Sequence, residues 1–315
     1  MTRYTDVAQD DRQFLALTGY TLPEFQALLP YFILRFTAHV TKYTLEGKLR
    51  QNRRYTAYKQ SPLPTMEDKL VFILVYLKTY PLQAVQGQLF GMHQPEANQW
   101  IQLLLPLVNH ALADCGELPA RHMADLVCAD ESAPVYFHDG TERAIQRPKD
   151  PETQPTYYSG KKKGHTVKND VIGNEAAKVI FLTATVAGKK HDKKLADEAG
   201  YTLPQGSILY QDTGFQGFRL EGVTILQPKK KPRGGLLSPD EKALNRWISA
   251  IRIRIEHIIN GVKRYRIVKD RFRNWKAGLR DLVMETCCGL HNFRLRFRPW
   301  HYDSVPPLQF MLKSL

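Results

Sequence analysis

The chain has 315 residues, 43% hydrophobic and 24% charged, enough apolar material for about two folded domains and too much for a disordered chain. Its longest apolar run, Leu70 to Leu77, is far below the ~18 residues of a membrane span. The formal net charge of +14 points to a polyanionic partner, and to nucleic acid before lipid, because no basic helix carries a clean apolar opposite face.

Polar residues open the chain, without the apolar centre of a signal peptide. The four cysteines form no C-x-x-C pair, as expected of a protein in a reducing cytoplasm. A zinc pair at Cys288 and His291 is the alternative to small core residues there. Residues 1–62 read as a helical and basic region. Leu22-Pro23-Glu24-Phe25 can open a helix, and Lys48, Arg50, Arg53, Arg54 and Lys59 alternate with Tyr55 and Tyr58, a mixture that follows a phosphate backbone and stacks on bases, or simply forms a solvated loop.

Residues 63–115 read as a helix-turn-helix. Thr65 caps a helix with Asp68 three residues on, and Leu70, Ile73, Leu74 and Leu77 recur at helical spacing. A short helix over 82–90 stops at Gly91, and a third begins near Pro95 and runs to about Leu105. Gln94, Asn98 and Gln99, at the start of that third helix, carry amides suited to adenine edges in the major groove. Residues 111–125 read as a linker.

Beyond it the period becomes strand-like. Strands are expected over 134–139, 143–148, 178–186, 207–212 and 223–226, with a short helix over 191–200. Ser238-Pro239-Asp240-Glu241 is a strong helix start, and that helix should pass Lys263. The fold class is therefore α/β, preceded by an all-helical DNA-binding region.

Two expected strands end in an aspartate and a turn, Asp139-Gly140 and Asp212-Thr213-Gly214. Strand ends are where open α/β sheets place ligands, although aspartate before glycine is also an ordinary turn signal. Ser249, Arg252, Glu256 and Lys263 share one face of the long helix, beside the stripe Ile248, Ile251, Ile255, Ile259 and Val262. Glu256 either pairs with Arg252 or points to the strand ends. Three converging acids repel one another unless a cation joins them. Asp125, Asp130 and Glu131 precede the first strand, and Glu142 falls on its opposite face.

These blocks resemble the DDE transposases of bacterial insertion sequences, within them the DDE-superfamily endonucleases. The resemblance rests on His138-Asp139-Gly140-Thr141-Glu142-Arg143, on Tyr158-Ser159-Gly160-Lys161-Lys162-Lys163-Gly164-His165-Thr166-Val167-Lys168, on Tyr210-Gln211-Asp212-Thr213-Gly214-Phe215, and on a Y-x2-R-x3-E-x6-K signature. Arg252, Glu256 and Lys263 match that signature, whereas Ser249 stands where it has tyrosine. It extends from about Leu63 to Phe297. His191-Asp192 also resembles a family loop, with Asp192 read as a helix start.

The resemblance implies a ribonuclease-H-like catalytic domain over 125–300, followed by a tail over 301–315. Asp139, Asp212 and Glu256 would be the catalytic triad and the ligands of two Mg²⁺ or Mn²⁺ ions. It further implies a transposase that binds terminal inverted repeats of double-stranded DNA, cleaves a phosphodiester, and joins the 3′-hydroxyl to target DNA. Arg252, Lys263, Lys161, Lys162, Lys163 and Lys168 would contact DNA. A homodimer or larger assembly on DNA is implied by the need to hold two ends, at the bacterial nucleoid and away from any membrane. The alternatives are a transposon-derived DNA-binding protein that does not cleave, and a nuclease of the same core without strand transfer.

Overall fold

The computed structural model describes residues 1–51, 55–56, 61–122 and 134–302. Arg53, Arg54, Tyr58, Lys59, Asp125, Asp130 and Glu131, discussed above, lie outside them. The chain divides into two units, one of residues 1–118 with 262–297 and the other of residues 119–261 with the segment from 298. Residues 262–297, placed by the sequence reading within the catalytic segment, thus cluster with the helical unit.

In the helical unit, α1 (Tyr4–Val7), α2 (Asp11–Thr18), α3 (Leu22–Lys42), α4 (Met66–Thr79), α5 (Gln83–Leu89) and α6 (Gln94–Asp114) are joined by α10 (Arg266–Lys269) and α11 (Leu279–Leu295). Reciprocal capping boxes open α3, from Thr21 and Glu24, and α4, from Thr65 and Asp68; each satisfies two otherwise orphaned backbone N–H groups. Residues Asp68 to Leu77 of α4 are all buried, so this helix is the axis of the unit. Lys69 is among them, its ammonium donating to the carbonyls of Leu63, Pro64 and Thr65.

The third helix is longer than expected. It runs through Pro106 to Asp114, because Leu103, Leu104, Leu105, Leu107, Val108, Ala111 and Leu112 all bury and their burial outweighs the backbone hydrogen bond that proline removes. The segment read as a linker is correspondingly shorter. Between α5 and α6 the chain turns at Gly91, φ +68°. A Cβ on Gly87 would stand 2.6 Å from the Met92 carbonyl, so glycine is needed for this tight crossing. Helix α11, which the sequence reading did not identify, completes the core: Tyr20 Oη donates to the Leu290 carbonyl at 2.7 Å, and Tyr20 and Phe293 meet edge to face.

The other unit is a mixed sheet. Its strands are β1 (Val135–Ala144), β2 (Tyr158–Ser159), β3 (Gly164–Asn174), β4 (Val179–Leu182), β5 (Val186–Ala187), β6 (Ile208–Gln211) and β7 (Thr224–Leu226), with helices α7 (Gln154–Tyr157), α8 (Asp192–Ala199) and α9 (Pro239–Lys263). The strand order is β2-β3-β1-β6-β7, with β4 and β5 pairing β3. β3 is antiparallel to β1, while β6 and β7 run parallel to β1.

The two strands expected on either side of Asp139-Gly140 are one. β1 passes straight through the dipeptide because β3 pairs with it continuously from Tyr136 to Ala144. Side chains alternate between faces. Tyr136 and Leu209 join Ile172, Phe181, Ala196, Tyr201, Phe215 and Phe218 in a core on the α8 side. The opposite face receives α9: the Arg254 guanidinium lies over Phe137, Trp247 meets Tyr210, and a Cβ on Gly173 would strike Ile258 Cδ1 at 2.4 Å.

Candidate active site

The last paired residues of the parallel ladder between β1 and β6 are His138 and Gln211. Asp139, within β1, and Asp212, just past the end of β6, each follow by one residue, and therefore lie side by side on the α9 face where the parallel pairing stops. Asp139 Oδ1 accepts from the Gly140 N–H at 2.8 Å, and Asp212 Oδ1 from the Thr213 N–H at 2.7 Å. Asp212 also caps a short 3₁₀ turn, Thr213–Phe215. Arg252, on α9, reaches down with Nη1 3.7 Å from Asp212 Oδ1.

Burial pushes the Asp139 carboxyl up to about 6; Arg252 and the Gly140 N–H oppose that shift, and the neighbouring Asp212 charge adds to it. Two carboxylates thus feel each other with one guanidinium between them. Arg252 Nε is buried and has no hydrogen-bond partner among the described residues, so the guanidinium is not fully satisfied where it stands.

Glu256 lies one turn beyond Arg252 on α9. Its side chain is exposed and makes no hydrogen bond or ion pair among the described residues. The structure therefore brings Asp139, Asp212 and Arg252 together and leaves Glu256 outside that contact. The pairing of Glu256 with Arg252 that the spacing allowed does not form; Asp212 takes that guanidinium. Among the described residues no group of three or more His, Cys, Asp or Glu side chains is gathered to hold a metal, at Cys288 and His291 or elsewhere. The donors at Asp139 and Asp212 nevertheless fit a hard divalent cation. They are carboxylate oxygens, they crowd each other, and the charge burial disfavours on Asp139 is one a cation would stabilise.

Behind the pair, on the α8 face, lies a polar network that sequence reasoning missed. Gln211 Nε2 donates to His138 Nδ1 at 2.7 Å, which leaves the proton on Nε2, 3.7 Å from Asp170 Oδ2. Both His138 and Asp170 are fully buried; burial raises the Asp170 carboxyl, and His138 opposes the rise. The Tyr201 hydroxyl approaches the same imidazole at 3.2 Å. Asp192, at the start of α8, pairs with Lys168 Nζ at 2.8 Å. Its carboxylate lies 3.3 Å from where a Cβ on Gly140 would stand and 3.4 Å from one on Gly214. At Gly140 a side chain would be tight against both Asp170 and Asp192, whereas at Gly214 it would meet Asp192 only in ordinary contact.

The basic residues separate. Lys161, Lys162 and Lys163 are exposed at the tip of the hairpin in which Tyr158 pairs His165 and Ser159 pairs Gly164. Lys168 is buried, held by Asp192 and by the Lys190 carbonyl at 2.9 Å. Lys263 ends α9. In the helical unit, Gln94 donates to Gln83 at 2.9 Å and Gln83 to Asn98 at 3.0 Å, one amide chain across α5 and α6. This chain borders a groove with Tyr80, Arg273 and the half-exposed Trp275. Gln99 lines a groove with Leu45, Glu46 and Pro62 and shares a second one with Asn98.

A family described as DDE superfamily endonuclease matches residues 138–292, and its companion, the helix-turn-helix of DDE superfamily endonuclease, matches residues 61–114. The chain is 23% identical to a probable transposase for insertion sequence element IS702 of Microchaete diplosiphon, over 75% of this chain and 83% of the relative. It is 26% identical to a putative transposase for insertion sequence element IS112 of Streptomyces albus G, over 65% of this chain and 72% of the relative. No solved structure matches significantly. With the two matched segments falling on α4–α6 and on the sheet that carries Asp139 and Asp212, the chain belongs to the DDE superfamily endonucleases.

Proposed function

We propose that this protein is an insertion-sequence transposase that cleaves DNA at Asp139, Asp212 and Glu256. The observation that carries the reading is the pair of aspartates on adjacent parallel strands where their pairing stops, with Arg252 and Glu256 on the helix that covers that face. A ribonuclease-H-like core is supported by the order of the strands and their directions.

Asp139 and Asp212 would hold divalent cations, Mg²⁺ or Mn²⁺, with Glu256 as the third ligand once substrate is present. Such ions, two of them in the full site, supply when bound the Lewis acidity that activates an attacking oxygen and stabilises a leaving one. The chain's own residues set the stage for that chemistry. The Gly140 and Thr213 N–H groups orient the two carboxylates. Arg252, whose Nη1 stands 3.7 Å from Asp212, would offer its guanidinium to a scissile phosphate. Lys161, Lys162 and Lys163 present a cationic hairpin tip to the backbone, and Lys263 extends the basic face. In the helical unit, Gln94 and Asn98 read base edges from a preorganised amide chain, with Gln99 on a neighbouring face. Terminal inverted repeats, target DNA and a dimer that holds two ends complete the reading.

Glu256→Gln tests it. Metal-dependent cleavage of a duplex carrying the element's end is expected to fall by at least about 10³-fold, with duplex affinity unchanged. Persistent cleavage would remove Glu256 from the site. Cleavage without strand transfer by the wild-type protein would favour the simple nuclease, and absence of any cleavage the binding-only protein.

A further inference from the structure

We propose that the strap between β7 and α9, residues 228–235, is a phosphate clamp that holds the DNA strand next to the scissile bond. The proposal rests on the reading of the site given above and deepens it.

The strap reads Pro228-Lys229-Lys230-Lys231-Pro232-Arg233-Gly234-Gly235. β1, β6 and β7 are parallel neighbours, so β7 delivers the strap to the end of the parallel ladder where Asp212 leaves β6 and Asp139 follows the last β1–β6 pair. Its start is bolted beside Asp212: Gln227 Nε2 donates to Gln211 Oε1 at 2.8 Å and to the Phe215 carbonyl at 3.1 Å. These two acceptors flank the Asp212 turn.

A second anchor fixes it to α9. The Lys229 N–H donates to Asn245 Oδ1 at 2.6 Å, and Asn245 Nδ2 returns a bond to the Lys229 carbonyl at 2.9 Å. The Lys229 ammonium pairs with Glu241, the residue whose carboxylate also accepts the Ser238 N–H at the start of α9.

Past these anchors the strap turns tightly. The Gly235 N–H donates to the Pro232 carbonyl at 3.2 Å, and Gly234 takes φ +79°. A Cβ on Gly235 would stand 2.9 Å from the Pro232 ring. Proline ahead of the turn and glycine within it hold Arg233 at the tip.

Lys229 is consumed by its anchors, whereas Lys230, Lys231 and Arg233 are exposed and make no ion pair or hydrogen bond among the described residues. Three unpaired cations on a shaped, doubly anchored strap beside two catalytic carboxylates suit one ligand class. A protein partner of acidic character would have to approach past Asp139 and Asp212. A nucleic-acid backbone must approach them in any case, because its phosphate is the substrate. The strap would then offset the repulsion between that phosphate and the carboxylates.

The experiment is a salt titration of duplex affinity, using the full chain and a duplex carrying the element's end, with cleavage measured in parallel. The variant carries Lys230→Gln, Lys231→Gln and Arg233→Gln together. Loss of three phosphate contacts is expected to make the slope of log K against log salt shallower by about 2–3. Affinity at physiological salt is expected to fall by about 10–100-fold. The charge-keeping triple of Lys230→Arg, Lys231→Arg and Arg233→Lys should behave as wild type, which separates charge from folding. An unchanged slope in the glutamine triple overturns the clamp, and so does a charge-keeping triple that binds as poorly as the glutamine triple. A photocrosslinker installed at Lys231→Cys should label nucleotides beside the scissile phosphate; labelling confined to distant duplex refutes the assigned position. Wild-type protein that fails to cleave at all, while the slope still responds, rejects the catalytic reading and leaves the strap a DNA contact.

Discussion

Replacing Asp139 by asparagine should stabilise the protein while abolishing its chemistry. In the folded chain the carboxyl's pKa stands at about 6, against an ordinary 3.8, chiefly because it is buried. Keeping it ionised above pH 6 therefore costs the folded state about 3 kcal/mol. The sign follows from proton binding. The folded state holds this proton more tightly than the unfolded chain, so the penalty is full above pH 6 and fades as the pH falls from 6 towards 3.8. Asparagine is neutral throughout and keeps an oxygen for the Gly140 N–H. Arg252 retains Asp212 at 3.7 Å, so little is lost on that side. The expected gain at pH 8 in a metal chelator is about 1–3 kcal/mol, or about 3–10 °C in Tm. The advantage over wild type should shrink to about a third of that by pH 4.5. Saturating Mg²⁺ should raise the wild-type Tm at pH 8 and leave the variant unmoved. Thermal unfolding of both proteins at the two pH values decides the matter. An Asp139→Asn protein less stable than wild type at pH 8, or one whose advantage does not depend on pH, would refute the reasoning.

On the proposed reading, the same carboxyl sets the pH dependence of divalent-cation binding. Because Asp139 must lose its proton to ligate, Mn²⁺ affinity measured by calorimetry should drop about tenfold between pH 7.5 and pH 5. The Lys168–Asp192 pair, with side-chain exposures of 10% and 24%, should show a coupling of about 1–3 kcal/mol in a double-mutant cycle of Lys168→Met and Asp192→Asn; a coupling near zero would class it with ordinary surface pairs. Gly173→Ala should destabilise by about 1–3 kcal/mol, since the new Cβ meets Ile258 Cδ1 at 2.4 Å. Adding Ile258→Val should recover part of that loss, and a second variant that recovers nothing would place the strain in the β3 backbone.

The elements most legible in the sequence were those whose signals are local. The caps at Thr65 and Ser238 mark their helices, and α8, β6 and β7 fall within a residue or two of their expected bounds. β3 was missed because its centre is Lys168, Asn169 and Asp170, polar residues with no apolar alternation. They bury because each finds a partner far along the chain: Lys168 finds Asp192, Asn169 finds Arg143 and the Thr183 carbonyl, and Asp170 finds His138. Such pairings exist only after folding, so no periodicity announces them. α11 was hidden in a similar way, its apolar stripe interrupted by the buried His291, Asn292 and Arg294. At the site, Asp212 was readable as a strand-end aspartate, whereas Asp139, expected at a strand end, lies within β1, where only its parallel pairing with β6 stops. The neighbours of Glu256 were not readable, because spacing on one helix face says nothing of which carboxylate a guanidinium will choose across the fold.

The helical unit both begins and finishes the described chain's main body, with residues 119–261 looped out between its two parts. Its core is therefore left open until α11 is made, since Tyr20 waits for Leu290 and Phe293. During synthesis the sheet emerges whole and can fold first, while the amino-terminal helices stand exposed. A copy interrupted by a stop codon after α9 would retain every carboxylate of the candidate site and lack the helix that seals the other unit. Premature termination thus strikes first at the part matched to the helix-turn-helix, although that part is encoded upstream, and a ribosome has to pass the candidate-site carboxylates before the protein can complete it.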